Sequence, residues 1–245
     1  MYMKKINIDG IPFVTRSQMK EVDRLMIEEF GINLFQMMEN AGRNLADLAQ
    51  HVLEDNLSGK SIAVICGGGS NGGGGLAAAR HLINRNASVC IALPVERPEM
   101  RMVPAQQLEI LERMDAVIVH DFPRGEFDLV IDALIGYGLH GAPHGRIVEW
   151  ITLINQQKSW VLSLDIPSGL DADTGLVVGE CVEATATMTL ALPKKGMLNE
   201  QTKSKIGDLY LADISVPEAL MFSLGIEAKA LFEEGAIIQL GNTCL

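Results

Sequence analysis

Apolar residues recur at helical spacing twice near the start of the chain. From Ser17 to Phe30 they include Met19, Val22, Leu25 and Met26, and a second run spans Leu34 to Leu53, with Gly31 between the two. Both runs predict amphipathic helices. The pattern then changes to short, continuous apolar runs. SIAVI (61–65), SVCIAL (88–93), AVIVH (116–120), DLVIDAL (128–134) and WVLSLD (160–165) predict strands, while 76–85, 103–114 and 147–157 predict helices. Continuous rather than alternating apolar character marks strands covered on both faces, so the series predicts a three-layer α/β/α sandwich with a mostly parallel central sheet. After Gly169, strand-like runs at 184–192 and 208–214 follow with little helix between them. No Pro/Gly/Ser-rich linker interrupts the chain. One domain over 1–245 is expected, with a core of about 14–217 and a tail, 218–245, of short helices.

Composition narrows the function classes. With 48% hydrophobic residues in 245, the chain has material for a substantial core. Its net charge of -11 and scattered Lys and Arg disfavour sequence-independent nucleic-acid binding, which needs clustered cations. No stretch approaches the ~18 consecutive apolar residues of a membrane span, and the start, MYMKKINIDGIPFV, lacks an apolar leader core. Cys66, Cys90, Cys181 and Cys244 show neither CxxC pairing nor zinc spacing, which suggests free thiols in a reducing compartment. A cytoplasmic protein with no nucleic-acid or membrane partner is expected.

Open α/β sheets bind ligands at the carboxyl ends of their strands. Three such ends stand out here: 61–65 runs into GGGSNGGGG, 128–134 carries Asp132 and leads to IGYGLHGAPHG, and 160–165 ends in Asp165 before IPSGLDADTG. Seven of the nine residues from Gly67 to Gly75 are glycine, more than a tight strand-to-helix turn needs, although such a turn is the plain alternative. Free N–H groups at a helix start there can cradle an anion. The G-x-G-x-x-G match at Gly67, Gly69 and Gly72 carries little weight in so glycine-rich a run, no Gly-Lys-Ser/Thr follows, and only Glu96 stands near the expected ribose-binding acid. Asp165 is a candidate acid/base, and Asp132 reads either as a ligand or as a turn cap. Asn71, Asp132 and Ser168 are hard oxygen donors that suit an alkali or alkaline-earth cation better than zinc. Lys194 and Lys195 are candidate phosphate contacts, against ordinary surface lysines; His140 and His144 lie in a loop beside the crevice, and His51 and His81 fall on helices.

Taken together, MMENAGRNLA (37–46), CGGGSNGGGGLAAARHL (66–82), DALIGYGLHGAPHG (132–145), LDIPSGLDADTG (164–175) and TLALPKKG (189–196) resemble, in order, the YjeF N-terminal domain family of NAD(P)H-hydrate epimerases. The resemblance implies a Rossmann-like fold, often dimeric, that interconverts the R and S epimers of NADHX and NADPHX. A separate ATP- or ADP-dependent dehydratase is the implied functional partner. By the same resemblance, K+ is held by Asn71, Asp132 and Ser168. Nucleotide contacts come from Ser70, Asn71, Gly72, Gly73 and Gly74, and from Gly136, Tyr137, Gly138, Leu139, His140, Gly141 and Ala142, and Asp165 is the substrate-facing carboxylate. Two departures stand out: the family's usual Asn-Asn-Gly-Gly-Asp-Gly reads Ser70-Asn71-Gly72-Gly73-Gly74-Gly75, and Tyr137 replaces a usual Thr. A nucleotide-binding scaffold of the same fold is the alternative. A dehydrogenase lacks its ribose acid and second domain.

Overall fold

The computed structural model describes residues 3–228 and 231–241. Cys244 lies outside them. In chain order the strands are β1 (Lys4–Asn7), β2 (Ser61–Cys66), β3 (Ser88–Ala92), β4 (Val117–Val119), β5 (Leu129–Ala133), β6 (Trp160–Leu164), β7 (Ala186–Leu190), β8 (Asp208–Ala212) and β9 (Ile237–Gly241). The helices are α1 (Arg16–Glu28), α2 (Leu34–Val52), α3 (Ser70–Asn84), α4 (Met102–Arg113), α5 (Arg146–Asn155), α6 (Lys203–Ile206) and α7 (Glu218–Ser223). Capping boxes start the first two: Thr15 with Gln18, and Asn33 with Gln36, exchange side-chain and backbone hydrogen bonds.

The strands form one sheet in the order β1-β9-β8-β7-β6-β5-β2-β3-β4, and every described pair is parallel except β8–β9. Period-two alternation sends successive residues of β2 to opposite faces. Ile62 and Val64 pack beneath Leu45 and Leu48 of α2 and Leu76 and Leu82 of α3, while Ala63 and Ile65 meet Trp150, Ile151 and Ile154 of α5. Burial on both faces explains the continuous apolar runs. α1 lies over another cluster, in which its Met19, Val22 and Met26 join Leu220 and Met221 of α7.

From β2 the chain winds outward through β3 and β4 and then returns to place β5 on the other side of β2. The strand order therefore reverses between β2 and β5, where a crevice opens beyond their carboxyl ends. The three strand ends singled out by sequence belong to neighbouring strands, β6-β5-β2.

Two expectations are corrected. The helix expected over 76–85 begins at Ser70, so Gly72 to Gly75 are helical. Glycine is a poor helix former, but packing overrides propensity here. A Cβ at Gly73 would lie 2.5 Å from Met38 Sδ, one at Gly75 2.6 Å from Ala133 Cβ, and one at Gly72 1.7 Å from Gly67 O. The tail is also not all helical: after the short α7, the AIIQLG run supplies β9, which pairs with β8 and with β1, so the sheet reaches beyond 14–217 at both ends. An apolar run that short fits helix and strand periods alike.

Candidate functional site

The crevice holds a cavity of about 700 Å³, within the usual range for small-molecule sites. One wall is α1, with Met19, Lys20, Asp23 and Arg24. The floor is made by Gly67 to Asn71, Leu134 to Gly138, Asp165 and Lys194, and Arg101 also lines it.

Asp165 follows the last residue of β6 in a left-handed conformation, φ 68°, and is 3% exposed. Such a conformation is unusual for a residue with a side chain and clusters at functional sites. Its amide donates to Met188 O at 2.7 Å, which locks the kink to β7. Tyr137 N donates to Asp165 Oδ2 at 2.9 Å, and the Lys194 ammonium donates to Oδ1. Lys194 is completely buried; it also donates to Thr189 Oγ1 at 3.1 Å and Leu190 O at 3.0 Å. Backbone bonds Val14 N to Pro193 O and Lys195 N to Val14 O, both 3.0 Å, hold the segment that carries it. The first lysine of the PKKG segment is thus partner to Asp165 rather than a surface cation, whereas Lys195 is exposed.

Asp132 is completely buried at the end of β5, level with Ile65 of β2 and Ser163 of β6. Four groups donate to its carboxylate: Leu134 N at 3.2 Å, Ser163 Oγ at 2.8 Å, Ser168 N at 2.9 Å and Ser168 Oγ at 2.6 Å. Burial pushes its carboxyl above the usual range against the pull of those donors. Ser168 Oγ also accepts from Ile135 N at 2.9 Å, tying the serine to the loop after β5. Asn71 approaches from α3, and its Nδ2 is buried without a hydrogen-bond partner among the described residues. A Cβ at Gly136 would lie 2.9 Å from Asp165 Oδ2 and 3.1 Å from Asn71 Oδ1, so both side chains crowd this glycine.

These groups fit a monovalent cation. The oxygen ligands on offer are Asn71 Oδ1, Ser168 Oγ and Asp132, a buried carboxylate whose hydrogen-bond partners among the described residues are all uncharged. No His/Cys/Asp/Glu cluster suited to a metal occurs among the described residues. Where such an ion binds, Asn71, Asp132 and Ser168 would hold it.

The remaining sequence candidates divide. Ser70, Asn71, Gly74, Gly136, Tyr137, Gly138 and His140 line the cavity; Gly72, Gly73, Leu139, Gly141 and Ala142 do not. Gly72 and Gly73 are instead packing residues, as described above. Gly74, where the resembled family carries a carboxylate, faces Leu164: an added Cβ would lie 2.9 Å from its Cδ2. His144 is exposed, and His81 is a mostly buried partner of Glu39 at 2.7 Å. Burial pushes the thiols of Cys66, Cys90 and Cys181 up, the last to about 12, so they are protonated at neutral pH.

Several residues at and around the cavity escaped the sequence reading. Asp23 accepts a hydrogen bond from the Tyr137 hydroxyl at 2.5 Å, and burial pushes its carboxyl up while that bond and Lys194 pull it down. Arg16 donates through Nε to Tyr137 O at 3.0 Å and through Nη2 to Asp171 Oδ2 at 2.5 Å, pinning the loop after β5 to the 171–175 turn. Arg101 and Lys20 bring positive charge to the cavity beside the first turn of α3, whose early N–H groups have no partner within the helix. Asp23 takes an ordinary polar position of the amphipathic α1, so periodicity carries no signal for it.

Comparison with known proteins gives the chain its relatives. The family described as YjeF-related protein N-terminus matches residues 34–196. The chain is 44% identical over 230 residues to an NAD(P)H-hydrate epimerase of Dehalogenimonas lykanthroporepellens, covering 93% of this chain and 92% of that one. It is 38% identical over 215 residues to an NAD(P)H-hydrate epimerase of Truepera radiovictrix, covering 87% and 94%. A bifunctional NAD(P)H-hydrate repair enzyme Nnr of Moorella thermoacetica is 36% identical over 218 residues, but there the match spans only 41% of the relative. The crystal structure of yeast ynu0 superposes with a TM-score of 0.79 at 23% identity, covering 94% of this chain and 100% of that one, which shows a shared fold. With its family match across the β2-to-Lys194 region and its full-length relatives, this chain belongs to the YjeF-related N-terminal family.

Proposed function

We propose that this chain is an NAD(P)H-hydrate epimerase, an isomerase that interconverts the R and S epimers of NADHX and NADPHX in nicotinamide cofactor repair. The observation that carries the reading is the near-full-length similarity to the Dehalogenimonas epimerase, in which the β6 end and the PKKG segment both fall. The cavity at the switch point supplies what such a reaction needs. The first turn of α3 with Arg101 and Lys20 is suited to the pyrophosphate of a dinucleotide, and Asp165, on the floor of the same cavity, is available to its ring.

The hydrated carbon bears a hydroxyl and adjoins the ring nitrogen. Loss of water with help from the nitrogen lone pair, followed by return of water to the other face, inverts it. Asp165 is held for proton transfer at that carbon, with Lys194 and the Tyr137 amide fixing its two oxygens. A positioned acid/base is typically worth about 10²- to 10⁴-fold. A K+ ion held by Asn71, Asp132 and Ser168 would supply positive charge to the loops that carry them. A homodimer, cytoplasmic residence and a separate ATP- or ADP-dependent dehydratase that consumes the S epimer complete the reading. No described helix is long and apolar enough to cross a membrane.

The test follows the R fraction of mixed NADPHX with an S-specific dehydratase in excess, with wild type and with Asp165→Asn. Disappearance of R much faster with wild type than with the variant is expected. Decay at the spontaneous rate with both would instead favour a nucleotide-binding scaffold, the reading to which the missing carboxylate at Gly74 points.

A further inference from the structure

Inversion sets a symmetry problem that one carboxylate does not solve. The hydroxyl leaves from one face of the ring and water returns to the other, so protons must be handled on both sides. Asp165 sits on the floor and has its two oxygens tied to Lys194 and to the Tyr137 amide. Across the cavity on α1 stands Asp23, and the side chain of Tyr137 spans the gap. Its backbone N–H donates to Asp165 and its hydroxyl to Asp23, so the two carboxylates are separated by the length of a tyrosine. All three residues line the cavity, and the Lys194 ammonium lies 5.8 Å from the centre of the Tyr137 ring.

We propose that Tyr137, backed by Asp23, is the second proton-handling group of the site and serves the face of the substrate ring turned away from Asp165. This rests on the epimerase reading and deepens it. Burial pushes both the Asp23 carboxyl and the Tyr137 phenol up, while the hydrogen bond between them and Lys194 draw the carboxyl back down. In the structure the phenol donates to Asp23; when Asp23 takes up a proton the bond reverses, the carboxyl donates to the phenol oxygen, and the phenol proton is released to the substrate. The groups that bear on this pair are Lys20 and Arg24 on α1, Arg101 before α4, His140 in the loop, and Lys194 and Asp165 on the floor.

The steps balance without oxidant or reductant. The phenol gives its proton to the departing hydroxyl, which leaves as water with the C–O bonding pair while the ring-nitrogen lone pair forms a C=N bond. The Asp23 proton moves to the phenol oxygen. Water then adds to the opposite face, the C=N pair returns to nitrogen, and Asp165 accepts the proton that the water loses. One proton has passed from Asp23 to Asp165; exchange with solvent resets the two carboxylates for another turnover in the same direction, and the reverse sequence serves the other epimer.

The experiment uses NADPHX in ¹⁸O-labelled water with wild type, Tyr137→Phe and Asp23→Asn, following epimer ratio and isotope content together. Wild type is expected to invert with uptake of label. In both variants kcat for inversion is expected to fall by about 10²-fold with KM roughly unchanged, while label exchange without inversion continues at the face served by Asp165. Unchanged inversion in both variants, parallel loss of inversion and exchange, or wild-type inversion without label would each overturn the proposal. A wild type no faster than the spontaneous rate would overturn the epimerase reading itself, which distinguishes the two failures.

Discussion

The Lys194 ammonium and the Asp165 carboxylate are in contact with both side chains shut away from water, 0% and 5% exposed. Removing one partner of so dry a pair leaves a charge with neither solvent nor counterion. Lys194→Met is expected to destabilise the fold by about 3–5 kcal/mol, and adding Asp165→Asn to recover more than half of that. Urea unfolding of the two single variants and the double variant measures the cycle; equal losses with and without Asp165→Asn would mean that the pair is not what the lysine stabilises.

Potassium is expected to bind the folded chain through Asn71, Asp132 and Ser168. At equal ionic strength, exchanging tetramethylammonium chloride for potassium chloride should raise Tm, with about 1.4 to 2.7 kcal/mol of stabilisation at 10 to 100 times Kd. The increase should vanish in Asn71→Ala and Ser168→Ala. A potassium effect that survives both substitutions places the ion elsewhere.

Gly136 is pressed between Asn71 and Asp165, and an added methyl must displace one of them. Gly136→Ala is expected to lower kcat by about 10²-fold if the carboxylate moves by ~1 Å. Gly10→Ala, where a Cβ meets nothing within 4 Å, should be silent. Comparable turnover in the two variants would show that the crowding does not govern chemistry.

Asp171 contributes a pH-dependent clamp. Burial alone would raise its carboxyl, but the Thr174 N–H and hydroxyl, the Arg16 guanidinium and the Asp173 N–H outweigh it and bring the pKa down to about 2. A group with a depressed folded pKa adds stability above its unfolded value, about 3.9, and loses it as pH falls through the folded value. Wild type should therefore exceed Asp171→Asn in Tm at pH 5, with the difference shrinking towards pH 2. A constant gap across that range would contradict the assignment.

The layer order and the three converging strand ends were legible because burial on both sheet faces leaves continuous apolar runs. What the runs do not encode is which polar residues turn inward. Asp23 occupies a polar position of an amphipathic helix, and in sequence it looks like any solvated carboxylate until α1 closes the cavity wall. Lys194 reads like Lys195 beside it; the backbone bonds to Val14 that turn one in and leave the other out join residues far apart in the chain. The glycines of α3 looked like a loop because intrinsic propensity is local, whereas the backbone of β2's exit and the side chains of Met38 and Ala133 that exclude a Cβ come from elsewhere.

The left-handed backbone of Asp165 also bears on how this lineage can drift. At φ 68° the residues tolerated best are glycine, asparagine and aspartate. Asparagine and glycine codons each lie a single base change from aspartate, and both keep the kink while removing the charge. Such a change keeps the backbone path but strands the Lys194 ammonium without its counterion, so silenced descendants are expected to persist only where a second change removes that charge.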